Sequence, residues 1–545
     1  MKRPYSCSVL LLGLLATAIH AEDAPKSTQA PAGESAAPTF DIYEFQIDGN
    51  SVLESRDIEK LVYPMLGPGK TIADVEKAQT VLEQAYRDAG YATVRVDIPE
   101  QDVKENVVHL QVVEATIDRM RIKGSRYFSL GHIRESLPAL AEGKVPHMPS
   151  IQQQLTEFNK ASADRTITPV ARAGQTPGTT EWELKVEDKL PLHASVEMNS
   201  RNTPTTTYTR MAASVRYDNL WQKYHSISMQ YQTSPQNNNE VEVIAGTYVM
   251  PLWDGWKAAL YGVGTNSTNF AAVLGGSTIL GAGQIYGLRL IKPLPETKDY
   301  FHTFTVGVDY KDFGQNTFSP IVTSSAPATY APFTARYDGT WKHDEGQTVF
   351  GIEANVLFRG MGNSQEEFTE KRSSPDTVSA NKKKPGARTD YAYLGVDFEH
   401  RQKLPYDTLA LGRMSGQVAS GMLINNEQFT SGGMRSVRGY HEVEVLGDHG
   451  VSGSLEFYTP KLAMEDWDFA DELRALVFLD AARASVIHQT NQQPNYYDIA
   501  SSGAGLKWQL WKHFNGELYW SYPFSKTEHV NPGNQRVDFR VLLDY

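Results

Sequence analysis

From about Leu190 to Tyr545 the chain keeps a two-residue period and never returns to a helical one. The segment TVFGIEANVLFRG displays it. Phe350, Ile352, Ala354, Val356 and Phe358 fall on one face; Gly351, Glu353, Asn355 and Arg359 fall on the other. Side chains alternate across a strand, so such a segment has one apolar and one polar side. A soluble sandwich and a membrane barrel both use that pattern, and one strand does not separate them. The number of strands does. Sixteen such segments run from 192–202 to 535–545, many joined by short turns such as PLWDG, HDEGQ and KLPYD. Long connections fall on the other end, at 314–332, 361–390 and 421–449. An even strand number with short turns at one end and long loops at the other predicts an outer-membrane β-barrel over 190–545, with antiparallel strands.

The start of the chain fits export. MKRPYSCSVLLLGLLATAIHA has a basic head (Lys2, Arg3), an apolar run from Val9 to Leu15 and small residues before Glu22. That predicts a signal peptide over 1–21, cleaved after Ala21 or Ala18. Its apolar run is well short of a membrane span. The one cysteine, Cys7, lies inside it, so the exported chain has no thiol for a disulfide or a metal. Loss of Lys2 and Arg3 takes the formal charge from −12 to −14, which offers no footprint for nucleic acid.

Between leader and barrel the period is mixed. Residues 22–40, rich in Ala, Pro and Ser, predict a flexible linker. FDIYEFQIDG alternates like a strand, and SRDIEKLVYPML and TIADVEKAQTVLEQAYRDAG predict helices. The second opens on Thr71 with Asp74, stacks Val75, Ala78, Leu82 and Ala85, and stops at Gly90. YATVRVDIP and NVVHLQVVEA follow as strands, giving β-α-α-β-β over 41–115. The order then repeats over 116–189. MRIKG (Met120 to Gly124) matches FQIDG (Phe45 to Gly49) at an offset of 75, and Ile133 matches Ile58. Ser150 with Gln153 predicts the start of its second helix, and TITPVARAG with TTEWELKVED closes the unit.

One loop stands out within the barrel. SGGMRSVRGYHEVEV, in the connection 421–449, sets Arg438 between Val437 and Gly439-Tyr440. Glycines let that loop fold back on itself. The thirteenth strand carries Phe478 and Asp480 on one face, pointing in or out according to register. If inward, Asp480 offers a carboxylate that a guanidinium can grip with two parallel bonds.

Two β-α-α-β-β modules, a sixteen-strand barrel, Val437-Arg438-Gly439-Tyr440 in the sixth external loop and Phe478-x-Asp480 on the thirteenth strand resemble the hemolysin activation and secretion family. These are two-partner (type V) secretion transporters, in a superfamily that also contains BamA. The resemblance implies that the modules are POTRA domains. It implies that the loop tucks into the lumen, with Arg438 as lock, Asp480 as keeper, Gly439 allowing the turn and Tyr440 packing beside them. It implies export of one large unfolded partner exoprotein, an adhesin, hemolysin or contact-dependent toxin, caught by the POTRA domains in the periplasm. Segment 91–98 is the candidate edge for adding a strand of that partner. Outer-membrane lipid, periplasmic chaperones and barrel-assembly machinery are the other partners implied, and the chain is expected to be a monomer. The last strand places Val537, Phe539, Val541, Leu543 and Tyr545 on one face, which resembles the sorting signal of outer-membrane proteins.

The chain departs from the family in three places. Residues 22–40, interrupted by Pro25, Pro31 and Pro38, are too few for the plug helix that often precedes the first module. Ala482 stands where the strand motif has glycine, and Tyr545 where phenylalanine is commoner. A barrel-assembly insertase of the same superfamily carries more POTRA modules; a diffusion porin carries none. No enzyme, cofactor or metal is expected. Gly281-Ala-Gly283 with Gly287 lies in a strand pattern rather than ahead of a helix, and the 14 histidines show no HExxH spacing. Lys382-Lys383-Lys384 reads as a solvated run in the loop 361–390.

Overall fold

The computed structural model describes residues 38–545 apart from 104, 267–270, 275–276, 281, 320–321, 365–386, 464–466 and 488–494. The expected leader, nearly all of the linker 22–40 and the Lys382–Lys384 run lie outside the described residues. Two compact units divide the chain, one built on residues up to Thr116 together with Val145–Met148 and one on the remainder.

The first unit is a three-stranded sheet covered by two helices. Glu44–Asp48 pairs in parallel with Val107–Val113, whose other side takes Arg95–Asp97 in antiparallel register. Both outer strands are therefore edges, and 91–98 contributes one of them. Helix Ser55–Val62 and helix Ile72–Asp88 pack on the sheet. Asp74 accepts the Thr71 backbone N–H at 2.9 Å and its hydroxyl at 3.1 Å, which holds the carboxyl below the usual range. The buried stripe is Val75, Ala78, Leu82 and Tyr86, not Ala85, because three full turns from Val75 end at Tyr86. Phe40–Ile42 starts one residue into the expected linker and pairs with Gly67–Lys70, a short strand that the sequence pattern did not suggest.

The second unit opens with the repeat of this topology. Thr116–Lys123 and Arg165–Ala173 flank Thr179–Asp188, under helices Leu130–Ser136 and Met148–Lys160. The latter starts at Met148, so Ser150 is inside it and not its cap. Pro149 sits in the first turn, where its missing N–H costs nothing. The repeat has a physical core. Gly49 (φ 87°) and Gly124 (φ 92°) both end the first strand in the left-handed region. A Cβ there would lie 2.4 Å from the Val112 carbonyl oxygen and 2.2 Å from that of Val186, so only glycine fits either place.

The rest of the second unit is a closed antiparallel barrel of sixteen strands, each paired with its neighbours in the chain. It closes where Leu192–Asn199 meets Arg536–Asp544, from Asn199 opposite Arg540 to Ser195 opposite Asp544. Two expectations fail. The second strand begins at Arg210, not 205. The segment 314–332 is no irregular loop: the seventh strand runs from Tyr300 to Ser319 and turns into Val322–Tyr330. That strand continues, after Ala331-Pro332, as Phe333–His343 on the same neighbour. Pro332 has no N–H for the ladder, which breaks the eighth strand into two pieces.

Candidate functional site

The connection between strands Thr408–Ala419 and His449–Tyr458 turns back into the barrel, and most of its residues are buried. Its two limbs pair as Phe429–Ser431 with Val445–Gly447. The hairpin can reverse because Gly432, Gly433 and Gly439 take positive φ. At Gly439 the space is also tight, since a Cβ would meet the Ser521 Cβ at 3.1 Å.

On the thirteenth strand, Ala470–Ser485, Leu476, Phe478, Asp480, Ala482 and Ala484 are buried, while Val477 and Leu479 are exposed. The Asp480 face therefore points into the lumen. Arg438, 1% exposed, meets it there. Its Nε donates to Asp480 Oδ2 and its Nη2 to Oδ1, both at 2.7 Å, and its backbone N–H adds a bond at 3.1 Å. Nη1 donates to Glu456 at 2.8 Å and Nη2 to Ser454 at 3.0 Å. The guanidinium carbon lies 3.6 Å from the centre of the Phe478 ring and 4.9 Å from that of Tyr519. Charge, direction and ring stacking all act on one group, the use for which arginine is suited and lysine is not.

Val437 and Tyr440 are fully buried in an apolar cluster with Phe429, Val445, Ala482, Ala484 and Ile499. The Tyr440 hydroxyl accepts the Ser525 N–H at 2.9 Å and sits 3.0 Å from the carbonyl oxygens of Ala500 and Ser525. The turn, the arginine and the tyrosine are thus fastened to three different stretches of wall.

Glu456 was missed by sequence reasoning. It also receives Arg413 and the Tyr458 hydroxyl, with Lys507 Nζ at 3.5 Å. The signal was present: Ser452, Ser454 and Glu456 share a face, opposite Val451, Leu455 and Phe457. Val537 and Leu543 of the last strand face outward, with Phe539 and Val541 between them on the same side, and Tyr545 follows the strand.

The second module is fastened to the barrel through Arg165, 2% exposed. Its guanidinium donates to the Tyr224 hydroxyl of the first short turn and to the Phe158 carbonyl, and stacks 3.5 Å from the Phe158 ring. Beside it, Asp164, His193 and Asp218 bring ligand-type atoms within 4.8 Å of one another. Lys189 lies 3.3 Å from Asp164, and Arg216 donates to Asp218 at 2.9 Å, so local cations already serve both carboxylates.

Known proteins share this plan. A family model described as POTRA domain, ShlB-type, matches residues 40–115. A second, haemolysin secretion/activation protein ShlB/FhaC/HecB, matches residues 178–508. The outer membrane transporter CdiB of Dickeya dadantii (strain 3937) is 21% identical over 511 residues, covering 93% of this chain and 87% of that protein. CdiB of Escherichia coli is 24% identical over 281 residues, covering 51% of this chain and 42% of that protein. Among solved structures, CdiB from Escherichia coli has a TM-score of 0.58 at 18% identity, covering 95% of this chain and 93% of that one. BamA from Haemophilus ducreyi lacking POTRA domains 1–3 has a TM-score of 0.55 at 14% identity, covering 93% and 100%. These two show likeness of fold. The family match, spanning over half of the chain, shows more: the protein belongs to the haemolysin secretion/activation family ShlB/FhaC/HecB, outer-membrane two-partner secretion transporters, and is not an enzyme.

Proposed function

We propose that this transporter captures one large, unfolded exoprotein in the periplasm and passes it through the barrel to the cell surface. The observation that carries the reading is the in-folded loop, held inside the lumen by Arg438 on Asp480 and Glu456. A barrel that served only as an open diffusion channel would gain nothing from a glycine hinge and a buried arginine lock. In this reading Arg438 is the lock and Asp480 the keeper, Phe478 is the stacking plate, and Val437, Gly439 and Tyr440 shape the turn.

The modules at 41–115 and 116–189 act as two POTRA domains. The first recognises the partner by adding an extended segment to its sheet edge at 91–98, where strand Arg95–Asp97 has one strand neighbour and the incoming segment would replace Glu83 and Gln79 of the covering helix on the Val96 N–H and carbonyl. Main-chain hydrogen bonds supply the affinity and alternate side chains supply selection. The sixteen-strand lumen is wide enough for an extended chain once the loop permits it.

The test is secretion in a surrogate Gram-negative host. A candidate large exoprotein, sought in the reading frames beside this gene, is co-expressed with and without the transporter, and its amount in the medium is measured. Appearance outside the cell only with the transporter is expected. Equal export without it would refute the reading, and rescue of barrel insertion in insertase-depleted cells would replace it with an assembly function.

A further inference from the structure

Besides Arg438, and besides Glu442 with its partner Arg201, the loop touches the barrel wall at a further charged point eleven residues before Arg438. Glu427 closes the single turn Asn425–Glu427 on the descending limb and is 3% exposed. It accepts Lys311 Nζ at 2.7 Å, the Tyr330 hydroxyl at 2.7 Å and the Tyr393 hydroxyl at 3.2 Å. Lys311 is itself 5% exposed. These partners stand on the seventh, eighth and tenth strands, a different sector of the wall from Glu456 and Asp480. Just ahead of Glu427, Leu423 and Ile424 are buried in an apolar cluster with Val243, Val263, Ile285, Phe313, Tyr391 and others. An aqueous conduit has no use for so many apolar side chains on the inner face at its loop end. A segment of chain resting on them accounts for their presence.

We propose that Glu427 and Lys311 form a releasable clasp, and that the limb 422–428 is the gate at the outer end of the lumen while the Arg438 tip stays fixed. The inference rests on the reading of the barrel as a protein conduit. The two anchors differ in kind. Arg438 makes four side-chain bonds to three groups and stacks on a ring. Lys311 brings one compact ammonium, which water solvates well once exposed. If the lumen hydrates from either end, the ammonium and the carboxylate both regain water, whereas the guanidinium would lose a fitted, stacked site. The limb therefore yields first. Glu427 acts here as a positioning residue, holding the apolar limb in place.

The full-length chain is tested in planar bilayers as wild type, Lys311→Met with Glu427→Gln, the reversed pair Lys311→Glu with Glu427→Lys, and Arg438→Ala. Removing the pair should raise the open probability about tenfold, with the barrel's heat-resistant gel mobility unchanged. The reversed pair should restore closure, because both tyrosine hydroxyls can donate or accept. A merely structural role would not be rescued by reversal. In a second experiment, Lys311→Cys with Glu427→Cys is bridged by a cleavable bis-maleimide linker. The bridged protein should stop exporting its partner and resume when the linker is cut. Open probability unchanged by loss of the pair, or full export by the bridged form, would overturn the clasp. Normal gating changes with no export even by the wild type would overturn the conduit reading and leave the clasp standing.

Discussion

Replacing Arg438 with alanine removes four side-chain hydrogen bonds, and the two carboxylates that it serves are left in unequal positions. Glu456 keeps Arg413, Lys507 and the Tyr458 hydroxyl. Asp480, fully buried, keeps only the backbone N–H of residue 438. Breaking a buried pair from one side costs about 3–5 kcal/mol, and the 1% and 0% exposure of these partners argues against a large discount for water. At about 1.4 kcal/mol per tenfold, that is roughly two to three and a half orders of magnitude in the population with the loop released. Asp480→Ala should cost less, since Arg438 retains Glu456, Ser454 and the Phe478 ring. The double variant should be no worse than Arg438→Ala, because it also removes the stranded carboxylate. A direct charge swap, Arg438→Asp with Asp480→Arg, should fail, since the new aspartate would face Glu456. The assay is denaturant unfolding in lipid vesicles beside export of the partner per inserted barrel. Additive losses in the double variant, or Arg438→Ala at wild-type stability and export, would refute the lock.

Gly439→Ala should destabilise the in-folded loop by about 1–2 kcal/mol, from φ 88° and the Cβ crowding against Ser521, and should lower export without preventing insertion. Deleting 425–448 should convert small, flickering bilayer currents into larger, steadier ones; equal conductance would mean that the loop does not obstruct the lumen. The fragment 41–189 should be soluble and should bind the partner's N-terminal region in calorimetry. A folded fragment that does not bind would move recognition to the barrel.

Much of this architecture is legible from period alone. A strand with lipid on one side and lumen on the other must alternate, so nearly all barrel strands begin and end close to where the hydropathy pattern does. What escaped has local causes. Strand 7 reaches Ser319 because 314–319 pairs with its own return segment, a preference that no apolar face records. The helix at Met148 begins on a proline rule rather than on the Ser150 capping pattern. At the site, Arg438 and Asp480 stand out by motif, whereas Glu456 and Glu427 do not. For Glu456 the alternation marks an inward polar face, but neither acid shows which cation it meets until the fold brings the two together.

The barrel seam has a consequence for how the protein can be made. Its first and last strands are the two most widely separated in the barrel's sequence, and the Arg540–Glu197 hydrogen bond joins residues 343 positions apart. Closing so long a loop costs entropy that neighbouring hairpins do not face, and contacts of such long range form slowly. Until Arg536–Asp544 arrives, Leu192–Asn199 presents an unpaired edge with nothing to complete it. The sheet can thus grow hairpin by hairpin, but the cylinder forms in one late step that needs the final residues. Truncations from the C-terminus should therefore lose the closed barrel abruptly rather than in proportion to their length.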